Sequence, residues 1–80
     1  GLYLNADASK GELRVEILDE NGSPVPGFTR DDCTLLRTDS VRWPASWRGN
    51  ADLSALRGQT VRLRFHLRQA ALYSFAFDGP

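Results

Sequence analysis

The chain has 80 residues, a length that suits a single domain. Ten basic side chains balance ten acidic ones, so the formal net charge is zero at neutral pH, which argues against a nucleic-acid or membrane-surface binder that acts through bulk electrostatics. No apolar run in the sequence reaches the ~18–20 residues of a membrane-spanning helix. The one cysteine, Cys33, excludes an internal disulfide framework and a CxxC metal site.

Alternation of apolar and polar residues, with a period of two, predicts five short β-strands. The pattern is clearest in the second and fourth of these segments, where every second side chain is apolar. Pro44 places the third segment at a sheet edge or at a bulge, because proline cannot donate to a ladder. The predicted strands are residues 2–6, 12–18, 41–47, 60–68 and 71–77.

The connections between these strands carry turn-forming residues. Residues 7–11 predict a hairpin loop between the first two strands, and residues 69–70 predict a tight turn between the last two. Residues 52–56 predict one short helical turn, with Asp52 as its N-cap and Gly58 as its end.

Short strands with turns between them predict an all-β domain over residues 1–80, built as an antiparallel, jelly-roll-like β-sandwich. The apolar side of each strand should form the core. We expect it to contain Leu13, Val15, Ile17, Trp47, Val61, Leu63, Phe65, Leu67, Phe75 and Phe77. The polar sides of two strands carry opposite charge. We expect cross-strand ion pairs among Glu12, Glu16, Arg62, Arg64 and Arg68.

Three stretches of sequence together resemble a known module. In chain order they read LNADASKGELRVEILDENGSPVPGF, TDSVRWPASWRG and ADLSALRGQTVRLRFHLRQAALYSFAF. They resemble the C-terminal β-sandwich module of bacterial glycoside hydrolase-like proteins, in which a five-bladed β-propeller of the family 32/43 type precedes the sandwich. The resemblance implies a non-catalytic accessory domain, because the catalytic acids of such enzymes lie on the propeller.

The same resemblance implies an extracytoplasmic protein, secreted or at the cell surface. The implied partners are the catalytic domain of the parent protein and a polysaccharide, whereas nucleic acid and membrane are not expected. Because the sequence starts inside an apolar run, we expect an excised C-terminal fragment of a larger protein. A neighbouring strand would then be missing, and residues 1–6 would form an open edge that favours self-association.

Catalytic and metal-binding groups are few in this sequence. His66 is the single histidine and lies between two arginines, so it is a poor base for Cys33 or for a serine. We expect no catalytic residue and no cofactor. Aspartates gather at the predicted loops, which leaves two interpretations open: solvated turn acids, or ligands of a structural calcium ion. These aspartates are Asp7, Asp19, Asp31, Asp32, Asp39 and Asp52.

A carbohydrate site needs an exposed aromatic ring with polar neighbours that bind hydroxyl groups. Trp43, beside Pro44, is the candidate ring, whereas Trp47 is predicted to fill the core. The polar neighbours would be Arg42, Arg48 and Asn50. The resemblance implies a non-catalytic accessory module of a carbohydrate-active enzyme, and this module would bind carbohydrate if Trp43 is exposed rather than part of the core. The alternative is a structural or interaction domain that packs on its parent enzyme or self-associates.

Overall fold

The computed structural model describes residues 1–78. Five strands in this range form two antiparallel β-sheets. Their strands are β1 (Leu2–Asp7), β2 (Glu12–Asp19), β3 (Asp39–Pro44), β4 (Val61–Arg68) and β5 (Ala71–Phe77). One sheet has the order β3-β1-β5, and the other pairs β2 with β4. Side chains from both sheets share one core. The prediction of an all-β, antiparallel domain is confirmed, and the packing is sandwich-like.

The chain changes sheet at every connection between strands. Residues 7–11 are therefore not a hairpin loop, because β1 and β2 find their partners elsewhere in the chain. Glycine is required at the end of this crossing, since a Cβ atom at Gly11 would overlap the carbonyl of Arg68. The bend at residues 69–70 is present, with a φ of 48° at Gln69, and it also leads from one sheet to the other.

The predicted helical turn is present as a 3-10 turn over Ser54–Leu56. Asp52 is not its N-cap, because Leu53 holds that position; instead, Oδ1 of Asp52 accepts a hydrogen bond from the backbone N–H of Ser54 at 2.9 Å. Gly58 ends the segment with a φ of 80°, a left-handed conformation that glycine adopts without a steric penalty. No helix among residues 1–78 is long and apolar enough to cross a membrane.

Strand β1 lies in the middle of its sheet. Leu4 is opposite Trp43 of β3 on one side and opposite Phe75 of β5 on the other. The prediction of an open edge at residues 1–6 is therefore wrong, because β5 returns from the far end of the chain to cover that edge. The edges of this sheet are β3 and β5, so the edge position predicted from Pro44 is confirmed.

The core lies between the sheets and is built from the inner faces of β1 and β2. Of the predicted core residues, Leu13, Val15, Ile17 and Trp47 are buried. Three others pack against this core only in part: Val61, Leu63 and Phe65. Their partial burial shows that β4 lies at the margin of the sandwich.

The remaining predicted core residues are exposed, which corrects the prediction. They are Leu67, Phe75 and Phe77. Alternation placed these three side chains on the faces that they share with Leu13, Leu4 and Leu2, but β4 and β5 are edge strands, and the described chain supplies no neighbour to cover their apolar side chains. The inner faces of β1 and β2 are covered, whereas the side of the sandwich formed by β4 and β5 is open.

The second edge of β2 is covered by the irregular segment 23–36. Leu13 exchanges two backbone hydrogen bonds with Leu36, both at 3.0 Å. Further along, the backbone N–H of Ile17 donates to the carbonyl of Phe28 at 3.0 Å. With one edge of β2 covered in this way and the other paired with β4, the remaining free edge of the two-stranded sheet belongs to β4.

Candidate functional site

The free edges of β4 and β5 lie on the same side of the sandwich, and we call this side the open flank. The rings of Phe65 and Phe75 meet across it, with their centroids 5.3 Å apart. Among residues 1–78, four of the five exposed large apolar side chains lie on these two strands. They are Leu67, Tyr73, Phe75 and Phe77, and the fifth is Val41 on β3. An apolar patch of this kind is typical of an interaction surface.

The backbone of β5 is available at this flank as well as its side chains. Gly1 and Asp78 exchange two backbone hydrogen bonds of 2.6 and 2.9 Å, so they form a hydrogen-bonded pair of the antiparallel ladder. Bonded and non-bonded pairs alternate along such a ladder, and Phe77 and Phe75 occupy the non-bonded positions opposite Leu2 and Leu4. Their N–H and C=O groups therefore point away from β1, toward the free edge.

Residues that oppose the addition of another strand lie on the β3 and β4 edges, whereas β5 has only a register shift near Tyr73. Strand β3 contains Pro44 and a register shift, and β4 presents several arginines. Residues 69–77 contain neither a charged residue nor a proline. Of the free edges in the described chain, β5 is thus the one open to strand addition.

The polar face of β2 and β4 carries cross-strand ion pairs, as predicted. Nε of Arg68 donates to Oε1 of Glu12 at 2.9 Å, and this hydrogen bond is the main cause that lowers the pKa of Glu12. Glu16 is 6% exposed and lies 2.8 Å from Nε2 of His66 and 3.5 Å from Arg64. Arg62 stands opposite Leu18 rather than opposite an acid.

His66 and Cys33 are both engaged in structural contacts. The imidazole of His66 is held at Glu16 on the outer face of the sheet. The thiol of Cys33 is buried; it accepts a hydrogen bond from the N–H of Val15 at 3.4 Å and donates to the carbonyl of Thr34 at 3.3 Å. Burial raises the pKa of this thiol, which disfavours the thiolate that nucleophilic chemistry needs.

The structure places Trp43 and Arg42, two residues of the predicted carbohydrate site, on opposite faces of the sheet. Trp43 is half-buried and packs against the core, on the face of the sheet that it shares with Leu4. Arg42 lies on the opposite face, with its guanidinium carbon 3.9 Å from the centroid of the Tyr3 ring and one nitrogen 2.6 Å from a carboxylate oxygen of Asp78. Neighbouring residues in a strand point to opposite faces, so Trp43 and Arg42 do not meet at one surface.

Arg48 and Asn50 belong to a separate turn. Arg48 and Gly49 have φ values of 53° and 80°, and the backbones of Trp47 and Asn50 exchange two hydrogen bonds of 2.9 Å across them. Nε of Arg48 lies 2.6 Å from Oδ1 of Asp32, so its charge is paired. Among the described residues, no hydrogen bond or ion pair joins Arg48 or Asn50 to Arg42 or Trp43.

A cavity of about 630 Å³ opens at one end of the sandwich, next to the open flank. Its apolar wall includes Ile17, Leu56, Val61 and Phe77. Asp52 lies at the cavity, and hydrogen bonds from the backbone and hydroxyl of Ser54 lower its pKa. Since Phe77 belongs to both, the cavity extends the apolar surface of the flank inward.

No group of three or more His, Cys, Asp or Glu side chains in residues 1–78 is placed to hold a metal ion. The loop aspartates act in local structure: Asp7 binds Ser9, Asp19 binds the turn at Asn21, and Asp32 binds Thr29. Both interpretations of the loop aspartates, solvated turn acids and ligands of a structural calcium ion, stay predictions.

The sequence does not predict the open flank as a site, because alternation places Phe65, Phe75 and Phe77 in the core. One signal was available: residues 71–77 are apolar or small on both faces, without a charged residue. The resemblance to propeller-associated sandwich modules stays a prediction, as do the accessory role and the location that it implies. No protein-family model, curated protein or solved structure matches this chain.

Proposed function

We propose that this chain is a non-catalytic interaction module that docks on another protein chain through its open flank. One observation carries the proposal: β5 is uncharged, has a free edge, and carries Phe75 and Phe77 at 48% and 55% exposure. A free edge can accept an extended segment as a further strand, since main-chain hydrogen bonds supply affinity and the side chains beside them supply specificity.

The energetics favour a partner at this surface. Full burial of a phenylalanine or leucine side chain contributes roughly 1.5–3 kcal/mol relative to exposure. At the open flank, Leu67, Phe75 and Phe77 realise only part of this gain within the chain. A docked strand would cover their exposed parts and satisfy the free backbone groups at the same time.

Docking on the catalytic domain of a parent carbohydrate-active protein is one form of this role. Sugar binding at Trp43 has less support, because that ring packs on the core and Arg42 lies on the other face. The sugar hypothesis is tested by titrating the chain with oligosaccharides and following tryptophan fluorescence.

The docking proposal is tested with a peptide that can only add as a strand. We suggest a capped heptapeptide of alternating threonine and valine, titrated into the intact ¹⁵N-labelled chain to millimolar concentration. The expected result is a set of amide shifts concentrated in residues 61–68 and 71–77. The double variant Phe75→Lys, Phe77→Lys should lose these shifts, whereas Val41→Lys, at an exposed position on β3, should keep them.

Two results would overturn the proposal. One is the absence of shifts at millimolar peptide, and the other is a set of shifts as large on β3 as on β5. If the double lysine variant loses the dispersed amide spectrum of the folded chain, Phe75→Thr takes its place, because threonine suits a strand and adds no charge.

A further inference from the structure

The side chains of β5 have a symmetric order around Phe75. Reading outward in both directions, Phe75 is followed by a small residue, Ser74 or Ala76, and then by an aromatic residue, Tyr73 or Phe77. An antiparallel pair of identical strands, centred on one residue, places position 75 − n opposite position 75 + n. Two copies of β5 would therefore set aromatic residues opposite aromatic residues and small ones opposite small ones.

The backbone has the geometry for such a pair at this same residue. The N–H and C=O groups of Phe75 point toward the free edge, so Phe75 and the partner's Phe75 can exchange two hydrogen bonds. Ser74 would then stand opposite the partner's Ala76. Phe77 would come level with the partner's Tyr73, the extra residue at the register shift between β1 and β5, so the regular part of the new ladder ends there.

Charge favours β5 over the other free edges for pairing with an identical chain. Like charges directly opposite each other destabilise a strand pair. Pairing β4 with a second β4 would bring two sets of arginines together, whereas β5 has no charged residue. The zero net charge of the chain also removes long-range repulsion between copies.

We propose that the occupant of the open flank is a second copy of this chain, with β5 paired to β5 in antiparallel register and Phe75 on the two-fold axis. The inference rests on the docking role proposed above and names the partner. The two three-stranded sheets become one continuous sheet of six strands, ordered β3-β1-β5-β5-β1-β3. The register shift between β1 and β5 near Tyr73 limits the length of the new ladder, so the dimer is weak and depends on concentration.

Cysteine cross-linking on the intact chain tests both the partner and the register. Ser74→Cys and Ala76→Cys are prepared separately, and each is oxidised alone and as an equimolar mixture. In the proposed register, residue 74 stands directly opposite the partner's residue 76 in a non-hydrogen-bonded pair, with Cα atoms about 4.5 Å apart and so within disulfide range. Residue 74 and the partner's residue 74 are diagonal neighbours at about 7–8 Å, and the same holds for residue 76. Both positions are exposed, so the substitutions leave the core unchanged.

The expected result is a disulfide dimer in the mixture at several times the yield in either single variant. The unmodified chain is the control for Cys33, which is buried and should not cross-link. Sedimentation of the unmodified chain should show a concentration-dependent dimer, and Phe75→Lys with Phe77→Lys should be monomeric at the same concentrations.

The outcomes separate this inference from the docking proposal. If the chain sediments as a monomer at millimolar concentration while the strand peptide still shifts the flank, a second copy is not the occupant, and docking stands. If neither occurs, both are wrong. If the single variants cross-link as well as the mixture, the register centred on Phe75 is wrong, and a dimer that survives the double lysine change would show that β5 is not the interface.

Discussion

The indole Nε1–H of Trp47 donates to the carbonyl of Val15 at 3.0 Å, although the two residues are 32 positions apart. The N–H of the same Val15 donates to the sulfur of Cys33 at 3.4 Å. Two side chains thus take the place of a partner strand in the middle of the covered edge of β2. The T-shaped contact between Trp47 and Phe28, with centroids 5.3 Å apart, holds the indole in position.

The Trp47 hydrogen bond should therefore contribute to stability beyond the packing of the ring. Trp47→Phe removes the donor and leaves the buried carbonyl of Val15 unpaired, a loss of about 1–3 kcal/mol in addition to the lost contact area. Urea unfolding measures the difference. Trp43→Phe, at a half-buried ring, is the matched control and should cost less. Equal losses in the two variants would contradict the structural role of the bond.

The thiol of Cys33 should make the fold less stable at alkaline pH. Burial raises the pKa of this thiol in the folded state, so the folded chain retains a proton that the unfolded chain releases near the ordinary thiol pKa of about 8.5. The stabilising contribution is complete below that pH and is lost as the pH rises toward the folded-state pKa. Urea midpoints at neutral and alkaline pH measure this decline, and Cys33→Ala should decline less steeply. The same slope in both chains would rule out Cys33 as its source.

Asp32 should contribute to stability at neutral pH and lose that contribution in acid. The hydroxyl of Thr29 and then Arg48 hydrogen-bond this carboxylate and lower its pKa. Since the folded state releases the proton more readily than the unfolded state, the contribution is present above the ordinary aspartate pKa of about 3.9 and is lost as pH falls below it. Thermal unfolding from pH 6 down to pH 2 should have a shallower acid limb in Asp32→Asn. Asp31→Asn removes the same charge at an exposed side chain and is the control.

Core and flank residues should differ in their effect on folding. Leu4→Ala, at a fully buried position, is expected to cost about 2–5 kcal/mol, a large part of the stability of a small domain. Phe77→Thr should cost much less, because that ring is already 55% exposed. Phe65→Ala should fall between them, below the ~3–5 kcal/mol of a fully buried phenylalanine. A loss at Phe77 equal to that at Leu4 would show that the ring serves this chain's own core.

The sequence predicts where the strands lie better than it predicts which strands pair or pack with one another. Alternation over β2 identifies Leu13, Val15 and Ile17 as inward-facing, and all three are buried. The same pattern over β5 identifies Phe75 and Phe77, which are exposed. A period of two depends on which face of a strand is apolar, and it carries no information about whether another strand covers that face.

Pairing over long distances in the chain explains the other errors. Residues 1–6 are covered by β5, whose distance in sequence makes the pairing invisible to local patterns. For the candidate site, the separation of Trp43 from Arg42 could have been foreseen, since consecutive strand residues face opposite ways. The stacking of Arg42 on Tyr3 could not, because it depends on the register between β1 and β3.

Alternation between the sheets at every connection has a consequence for folding kinetics. Without a hairpin between consecutive strands, no two of the five strands that follow each other in the chain pair with each other. The pairing of β1 with β5 requires the closure of a loop that contains nearly the whole chain, and loop closure costs entropy before the ladder forms. We therefore expect slow folding for a chain of this size, in the millisecond-to-second range typical of β-proteins with distant pairings. Until residues 71–77 are in place, β1 lacks one of its two partner strands. One edge of β1 is therefore open during folding and is covered by β5 only in the completed fold.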